Sequence, residues 1–324
     1  MKAENKIRWG IVSAANITSR VIPAIRMNSN SVVSAIASRD YNKARTLARK
    51  YGIERICESY EEILDSDKID AVYIPLINSL HFKWSYRALQ KGINVLCEKP
   101  FTLNSGDAKK LIDYAGRNNL VIREAFMYRF HPQYKLIMKM IKRKRIGKIK
   151  SIYSVFTFFN DDPASYLLSS KYGGGSLMDV GCYCIHLSRM IAGREPKGVF
   201  ALKNGKGVDK NMRGILDFGD IKALFEASIC EYERHYAVIR GEKGEIEIFN
   251  PWAIKKKTVV VIRSEGVEDT VRFPYYNPYR LEIEDFISAI LKKRRKNNYD
   301  SYLNMKVIDS LRVSAKYSRY VVAG

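Results

Sequence analysis

From Lys6 the chain alternates short apolar runs with amphipathic stretches: Ile7 to Val12, Ile17 to Met27, Val32 to Ala37, then Asn42 to Tyr51. Runs of strand length separated by stretches of helix length predict β-α-β-α units. Such units pair their strands in parallel, because each helix carries the chain back to the same end of the sheet. Ala71-Val72-Tyr73-Ile74 and Asn94-Val95-Leu96-Cys97 read as two more buried strands, separated by a helix from Ser79 to Lys91 that stops at Gly92. A helix from Ser105 to Arg117 and the apolar run Leu120 to Ile122 follow. The expectation is a Rossmann-type doubly wound domain over residues 1–124.

The rhythm changes after Lys150. Ser151 to Phe159, Arg213 to Phe218, Ala223 to Ile229, Tyr236 to Arg240, Glu245 to Phe249, Thr258 to Arg263 and Asp269 to Phe273 all read as strands with turn residues between them. Helical patterns interrupt at Leu177 to Ala192 and close the chain at Arg280 to Lys293 and Leu303 to Tyr320. Residues 125–324 are therefore expected to form an α+β domain around an open, mostly antiparallel sheet.

Composition narrows the function classes. The opening residues are polar and no long uninterrupted apolar segment follows, so neither a signal peptide nor a membrane span is expected, and the setting is read as cytoplasmic. Cys57, Cys97, Cys182, Cys184 and Cys230 are an odd number, scattered in apolar contexts and lacking zinc or disulfide-framework spacing. No metal is expected. Lys plus Arg total 56 against 34 Asp plus Glu, a net +22. The densest basic runs, Lys142 to Lys150, Lys255 to Lys257 and Lys292 to Lys296, lack the interleaved aromatics of a strand-binding platform. They read as solvated surface, and no nucleic-acid partner is expected.

Four stretches carry chemistry. Trp9-Gly10-Ile11-Val12-Ser13-Ala14-Ala15-Asn16-Ile17 joins the first strand to the first helix, where a Rossmann fold sets a pyrophosphate on the helix N-terminus. The glycine fingerprint is degraded, since Ser13 and Ala15 stand where glycines are usual, but the residues stay small. Ala37-Ser38-Arg39-Asp40 ends the second strand, near the ~20-residue offset at which an NAD site offers a carboxylate to the ribose. A hydroxyl and a guanidinium there suit a 2′-phosphate instead, which favours NADP over NAD. Cys97-Glu98-Lys99-Pro100-Phe101 ends a strand at the carboxyl edge of the sheet, and Pro100 restricts Lys99 to an extended backbone that can hold its ammonium over the cleft. Lastly, Gly173-Gly174-Gly175 precedes a helical pattern in which Asp179 and Tyr183 are four apart, so that an acid and a phenol share one face after a flexible glycine lead-in. His186 lies three beyond Tyr183.

In this order, and with Ile74-Pro75-Leu76-Ile77-Asn78-Ser79-Leu80-His81, Glu124-Ala125-Phe126-Met127-Tyr128-Arg129-Phe130-His131-Pro132 and Asn277-Pro278-Tyr279-Arg280, the pieces resemble the glucose-fructose oxidoreductase / inositol dehydrogenase (Gfo/Idh/MocA) family over essentially the whole chain. Within it the chain looks most like the NADP-dependent pyranose, xylose and trans-dihydrodiol dehydrogenase branch. The resemblance implies a catalytic set of Lys99, Asp179 and Tyr183. It implies that Gly10, Ser13, Asn16 and Ile17 line the pyrophosphate and that Ser38 and Arg39 take the adenosine phosphate. Pro75, Asn78, His81, Glu98 and Lys99 would then meet the nicotinamide end, with Arg129 near cofactor or substrate. Many relatives carry histidine where Tyr183 stands, which implies a phenol in place of an imidazole as acid/base, and relatives often have an acid at the place of His186.

The resemblance thus implies an oxidoreductase moving a hydride between NADP and a hydroxyl-bearing carbon of a sugar, polyol or dihydrodiol. One face of the second sheet would join subunits, commonly as a homodimer. Two alternatives keep the fold: an enzyme that recycles a tightly bound NADP between two sugars, and a non-catalytic NADP-sensing regulator.

Overall fold

The computed structural model describes residues 6–252, 254–292 and 299–323. Two compact units result, one comprising Met1–Met127 with Tyr279–Tyr302, the other Tyr128–Pro278 with Leu303–Gly324. Residues 279–302 thus join the first unit, which a boundary drawn along the chain at 124 does not show. Lys293 to Lys296, the end of the expected late helix and most of the last basic run, lies outside the described residues.

The first unit is built on β1 (Ile7–Val12), β2 (Ser31–Ala37), β3 (Arg55–Cys57), β4 (Ala71–Ile74), β5 (Asn94–Glu98) and β6 (Ile122–Ala125). They form one sheet in the order β3-β2-β1-β4-β5-β6, with every neighbouring pair parallel. This is the doubly wound order, and the strand sequence reverses between β1 and β4, where such sheets open a ligand crevice. Helices α1 (Thr18–Arg26), α2 (Tyr41–Tyr51), α3 (Tyr60–Leu64), α4 (His81–Gln90) and α5 (Ser105–Arg117) link the strands. Sheet faces covered on both sides need apolar residues at successive positions, and Ala71-Val72-Tyr73-Ile74 is buried throughout.

Trp9 and Ile11 point to the face packed by Val21, Ile22 and Ile25 of α1 and by Ile283 and Phe286 of a late helix. The rings of Trp9 and Phe286 lie 5.2 Å apart. A buried aromatic of this size removes ~150–250 Å² from water, worth about 5 kcal/mol at ~25 cal/mol per Å². On the opposite face a Cβ at Gly10 would come within 2.6 Å of Ile63 Cγ2 on α3. Glycine at this position lets α3 approach the sheet.

Two departures from the sequence expectation have local causes. The pair β3 and α3 is too short for a periodic signal. Leu120, expected in a strand, instead donates its N–H to Ala115 O at 2.8 Å and closes α5 beside Asn119 (φ 57°), so the strand begins at Ile122.

The second unit begins with α6 (Pro132–Lys142) and holds a nine-stranded sheet. Its strands are β7 (Ile149–Phe159), β8 (Gly198–Asn204), β9 (Asn211–Asp217), β10 (Lys222–Ser228), β11 (Cys230–Gly241), β12 (Gly244–Phe249), β13 (Thr258–Ser264), β14 (Val267–Phe273) and β15 (Val321–Val322). The order is β14-β13-β12-β11-β7-β10-β9-β8-β15, antiparallel except for the parallel pair β7 and β10. β8 and β15 extend the sheet beyond the strands read from the sequence. Helix α7 (Cys182–Ala192) is buried from Cys182 through Arg189, so it is enclosed on every side and not on a single stripe. The late helices are α8 (Pro278–Leu291) and α9 (Asp300–Tyr317). Arg189 anchors α7 by a bidentate pair to Glu195 at 2.7 and 2.8 Å and by a 3.3 Å bond to Asn304 of α9, whose amide returns to Cys182 O.

Candidate active site

In the first unit, the turn from β1 to α1 keeps the conformation of the glycine it lacks. Ser13 has φ 134°, a region L-residues rarely adopt and one that costs on the order of 1–3 kcal/mol. Asn16 is exposed, Ser13 and Ile17 are half-buried, and the N-terminus of α1 has no side-chain cap. The positive end of the helix dipole there suits a phosphate. Gly10 lies buried within β1 and packs against α3.

After β2, Ser38 Oγ accepts from Asp40 N at 3.2 Å, and the Asp40 carboxylate caps α2 by accepting from Lys43 N at 3.1 Å. The acid that competes with a phosphate in the sequence is thereby engaged in its own helix. Arg39 stays exposed at the strand end.

The Glu-Lys-Pro stretch at the end of β5 is fastened from several sides. Tyr73 OH donates to Glu98 Oε1 at 2.6 Å, Phe101 N donates to Glu124 Oε1 at 2.9 Å, and the Lys99-Pro100 peptide is cis. Burial, reinforced by the Glu98 carboxylate, pushes the Tyr73 phenol well up, so it remains a donor. The His81 ring is fully enclosed, with Nδ1 2.7 Å from Pro100 O and Nε2 2.9 Å from Leu76 O. Burial lowers its pKa, the two carbonyls act to raise it and Lys99 adds to the lowering; the net is downward. A neutral ring donates to one carbonyl at a time, so His81 ties the end of β4 to the loop bearing Lys99. Pro75 and Asn78 are buried beside it, and Lys99 itself is half-buried.

In the second unit, the three glycines before Tyr183 are not a flexible lead-in. Gly175 has φ 106°, and a Cβ there would strike Asp209 Oδ1 at 2.3 Å. Asp209 Oδ2 accepts from Ser176 Oγ at 2.8 Å and from Leu177 N at 2.6 Å, while its own carbonyl accepts from Ser176 N. Burial raises the Asp209 pKa and these donors pull it down, leaving it raised. The segment Leu177–Gly181 is a π turn, not the regular α-helix expected, so the simple four-residue stacking of Asp179 and Tyr183 does not apply. Single π turns arise often at functional sites. Asp179 and Tyr183 are 9% and 6% exposed.

Tyr183 stands in a ring of aromatics, 5.8 Å from Tyr128, 5.4 Å from Phe156 and 6.0 Å from Trp252 between centroids. His186 Nδ1 lies 2.5 Å from Tyr128 OH, and Arg129 Nη1 donates to His186 Nε2 at 3.3 Å. Arginine cannot accept, so Nε2 carries no proton and the neutral ring donates from Nδ1 to the Tyr128 oxygen. Sequence reasoning missed Tyr128, Phe156 and Trp252 as walls of the site; of the three, only Tyr128 lies within one of the motif stretches.

Among known proteins, the family model for the oxidoreductase family NAD-binding Rossmann fold matches residues 7–126, and that for the GFO/IDH/MocA C-terminal domain matches residues 134–247. The chain belongs to the GFO/IDH/MocA oxidoreductase family. A D-xylose 1-dehydrogenase (NADP(+)) of Haloferax volcanii is 34% identical over 95% of this chain and 97% of that one. A trans-1,2-dihydrobenzene-1,2-diol dehydrogenase of Xenopus tropicalis is 34% identical over 74% of each chain. A crystallised 3-ketoreductase from Actinomadura kijaniata, in complex with NADP and TDP-benzene, superposes with a TM-score of 0.91 at 27% identity, covering 96% of this chain and 98% of that one.

Family membership makes this chain an oxidoreductase with a Rossmann domain. Its candidate residues fall into two sets. Ser13, Asn16, Ile17, Ser38, Arg39, Pro75, Asn78, His81, Glu98 and Lys99 ride on the first unit, whereas Arg129, Asp179 and Tyr183 ride on the second. No helix among the described residues is long and apolar enough to cross a membrane.

Proposed function

We propose that the protein is an NADP-dependent oxidoreductase acting at a hydroxyl-bearing carbon of a sugar, polyol or dihydrodiol. The observation that carries this reading is Tyr183. It is a phenol almost withdrawn from water, walled by Tyr128, Phe156 and Trp252 and placed directly after a π turn that bears Asp179. The uncapped α1, the glycine-like Ser13 and the exposed Arg39 next to an already engaged Asp40 fit a dinucleotide with a 2′-phosphate. Relatives named for NADP or for sugar and dihydrodiol substrates support the cofactor and the substrate class. Variants of the Actinomadura ketoreductase altered at a tyrosine and at a lysine have been crystallised with NADP and TDP-benzene, in keeping with interest in such a pair.

When bound, NADP supplies the site that accepts or returns a hydride. Ser13, Asn16 and Ile17 with the N-terminus of α1 would hold the pyrophosphate, and Ser38 and Arg39 the adenosine phosphate. Pro75, Asn78, His81 and Glu98 would border the nicotinamide end. During oxidation Tyr183 Oη takes the proton of the substrate hydroxyl; during reduction it gives the proton back. A free phenol titrates near ~10, so the Lys99 ammonium has the task of stabilising the phenolate near neutrality. Positioned acid/base help of this kind is worth ~10²–10⁴ in rate. Asp179 orients neighbouring substrate hydroxyls, and Arg129 holds His186 and with it Tyr128.

This reading includes a cytoplasmic setting and a homodimer. The exposed Ile215 and Leu224 pair directly across β9 and β10, with Leu202 exposed on the neighbouring β8. A sheet face of that kind suits a second copy of the chain, which sedimentation of wild type and Leu224→Arg would test.

The deciding experiment follows nicotinamide absorbance across aldoses, polyols and dihydrodiols with NADP⁺ and NAD⁺ in parallel. Turnover with NADP⁺ that drops ~10²–10⁴-fold in Tyr183→Phe, with NADP binding retained, supports the mechanism. Unchanged turnover in Tyr183→Phe or Lys99→Met would refute the assignment.

A further inference from the structure

Tyr183 is the second residue of α7, and α7 follows directly on the π turn Leu177–Gly181. A π turn holds one residue more than an α turn, so regular helical spacing does not carry the facing of the chain before it into the helix behind it. The direction in which Tyr183 points is therefore set by what α7 packs against. At Cys182 and Arg189 that partner is Asn304, which donates to Cys182 O at 3.3 Å and accepts from Arg189 Nη1 at 3.3 Å. At Tyr183 it is Tyr128.

Tyr128 is fully enclosed and meets four rings, its centroid lying 5.8 Å from Tyr183, 5.5 Å from His186, 5.1 Å from Tyr134 and 5.5 Å from Trp252. Tyr134 OH in turn donates to Pro251 O at 2.8 Å, which ties α6 to the segment bearing Trp252. Tyr183 and His186 are three apart on α7 and share a face, and Tyr128 packs on both. Apolar packing alone would be served by phenylalanine. The phenol adds a bond, since its oxygen lies 2.5 Å from His186 Nδ1.

The next residue along the chain decides the direction of that bond. Arg129 Nη1 donates to His186 Nε2 at 3.3 Å, so the neutral ring carries its proton on Nδ1 and the Tyr128 oxygen accepts it. Tyr128 and Arg129 belong to one short turn, Met127–Phe130. That single turn thus grips the imidazole at both nitrogens, which stops the ring from turning and fastens α7 to the turn. His186 is 2% exposed, so water does not compete for either bond.

We propose that His186 and Tyr128 are positioning residues for the acid/base: gripped by Arg129, they fix the first turn of α7 so that the Tyr183 phenol faces its substrate. The inference rests on the hydride-transfer reading and deepens it. Neither residue exchanges a proton with substrate. Their effect is geometric, and a misplacement of about 1 Å at a reacting group costs up to about 100-fold in rate.

The test uses the best substrate of the NADP⁺ panel with wild type, His186→Leu, His186→Asn, Tyr128→Phe and the double variant His186→Leu/Tyr128→Phe, with Ile191→Val as a packing control further along α7. NADP titration and thermal melting check that each is folded. The His186→Leu and Tyr128→Phe variants should each lose about 10–100-fold in kcat with substrate KM within about twofold, and the double variant should fall no lower than the worse single one, because both remove the same bond. His186→Asn, which keeps an N–H near the place of Nδ1, should recover most of the loss. Ile191→Val should lower the melting temperature and leave kcat within about twofold. Introduced into Tyr183→Phe, His186→Leu should cost nothing further. An undiminished kcat in His186→Leu, no recovery in His186→Asn, or the same fold-loss with Tyr183 already removed would overturn the positioning role while leaving the hydride-transfer reading intact. Unchanged turnover in Tyr183→Phe, or no turnover across the panel, removes that reading and the positioning role with it. Nitrogen-15 spectra of the four histidines, with His186 assigned through His186→Asn, supply a readout independent of turnover: the proton is expected on Nδ1, and a proton on Nε2 would overturn the grip by Arg129.

Discussion

Replacing Asp209 tests whether the turn before Tyr183 is held rigid by a residue 32 positions further along the chain. Asp209→Ala removes the acceptor of the Leu177 N–H and of the Ser176 hydroxyl, two bonds of 2.6 and 2.8 Å. Leaving an enclosed N–H without a partner costs about 1–3 kcal/mol, and losing the hydroxyl bond adds about 1. Against this, the raised pKa of Asp209 means that its burial as a carboxylate is itself unfavourable, so part of that cost is recovered on removal. The net expectation is a loss of about 2–3 kcal/mol in the unfolding of the second unit, and about 1 kcal/mol for Asp209→Asn, which keeps one acceptor. Denaturant unfolding of wild type, Asp209→Ala, Ser176→Ala and the double variant forms a thermodynamic cycle, with a coupling energy of about 1 kcal/mol expected. Because the turn leads into α7, kcat should fall at least about tenfold while NADP affinity, carried by the first unit, stays unchanged. A cost below about 0.5 kcal/mol, or strict additivity with Ser176→Ala, would refute the argument that Asp209 clamps the turn.

Three further outcomes are expected. Arg39→Ala should weaken NADP binding ~10–100-fold and leave NAD binding within about twofold, read by fluorescence titration, since only the former loses a charge-assisted contact. Ser13→Gly should raise the unfolding free energy of the first unit by about 1 kcal/mol, because the φ of 134° costs glycine nothing; a loss would show that the Ser13 side chain contributes more than the strain it carries. His131, enclosed against Phe273 and Tyr276, has its pKa lowered by burial to about 4. A base whose folded pKa is depressed binds fewer protons folded than unfolded, so its contribution is present above the ordinary ~6.5 and is lost as pH falls through about 4. Melting temperature between pH 7 and 4 should therefore fall more steeply for wild type than for His131→Gln, and parallel curves would remove His131 from the acid response.

The doubly wound sheet was legible from periodicity, because strands buried on both faces must be apolar at every position and crossover helices must be amphipathic. Ala71 to Ile74 carries that signal in full, and Ile7 to Val12 carries it at every position but Arg8. The short β3, and the closing role of Leu120, were not legible, since three residues have no period and a helix stop is set by one backbone angle at Asn119. The site divides along the same line. Ser13, Arg39, Lys99, Asp179 and Tyr183 stood out because local order along the chain places them at strand and helix ends. What surrounds them depends on long-range partners: Asp209 stiffening the glycines, His81 joining Leu76 to Pro100, Trp252 and Phe156 walling Tyr183. These partners are set by the tertiary fold alone, because the chain's own order carries no record of contacts between segments far apart along it.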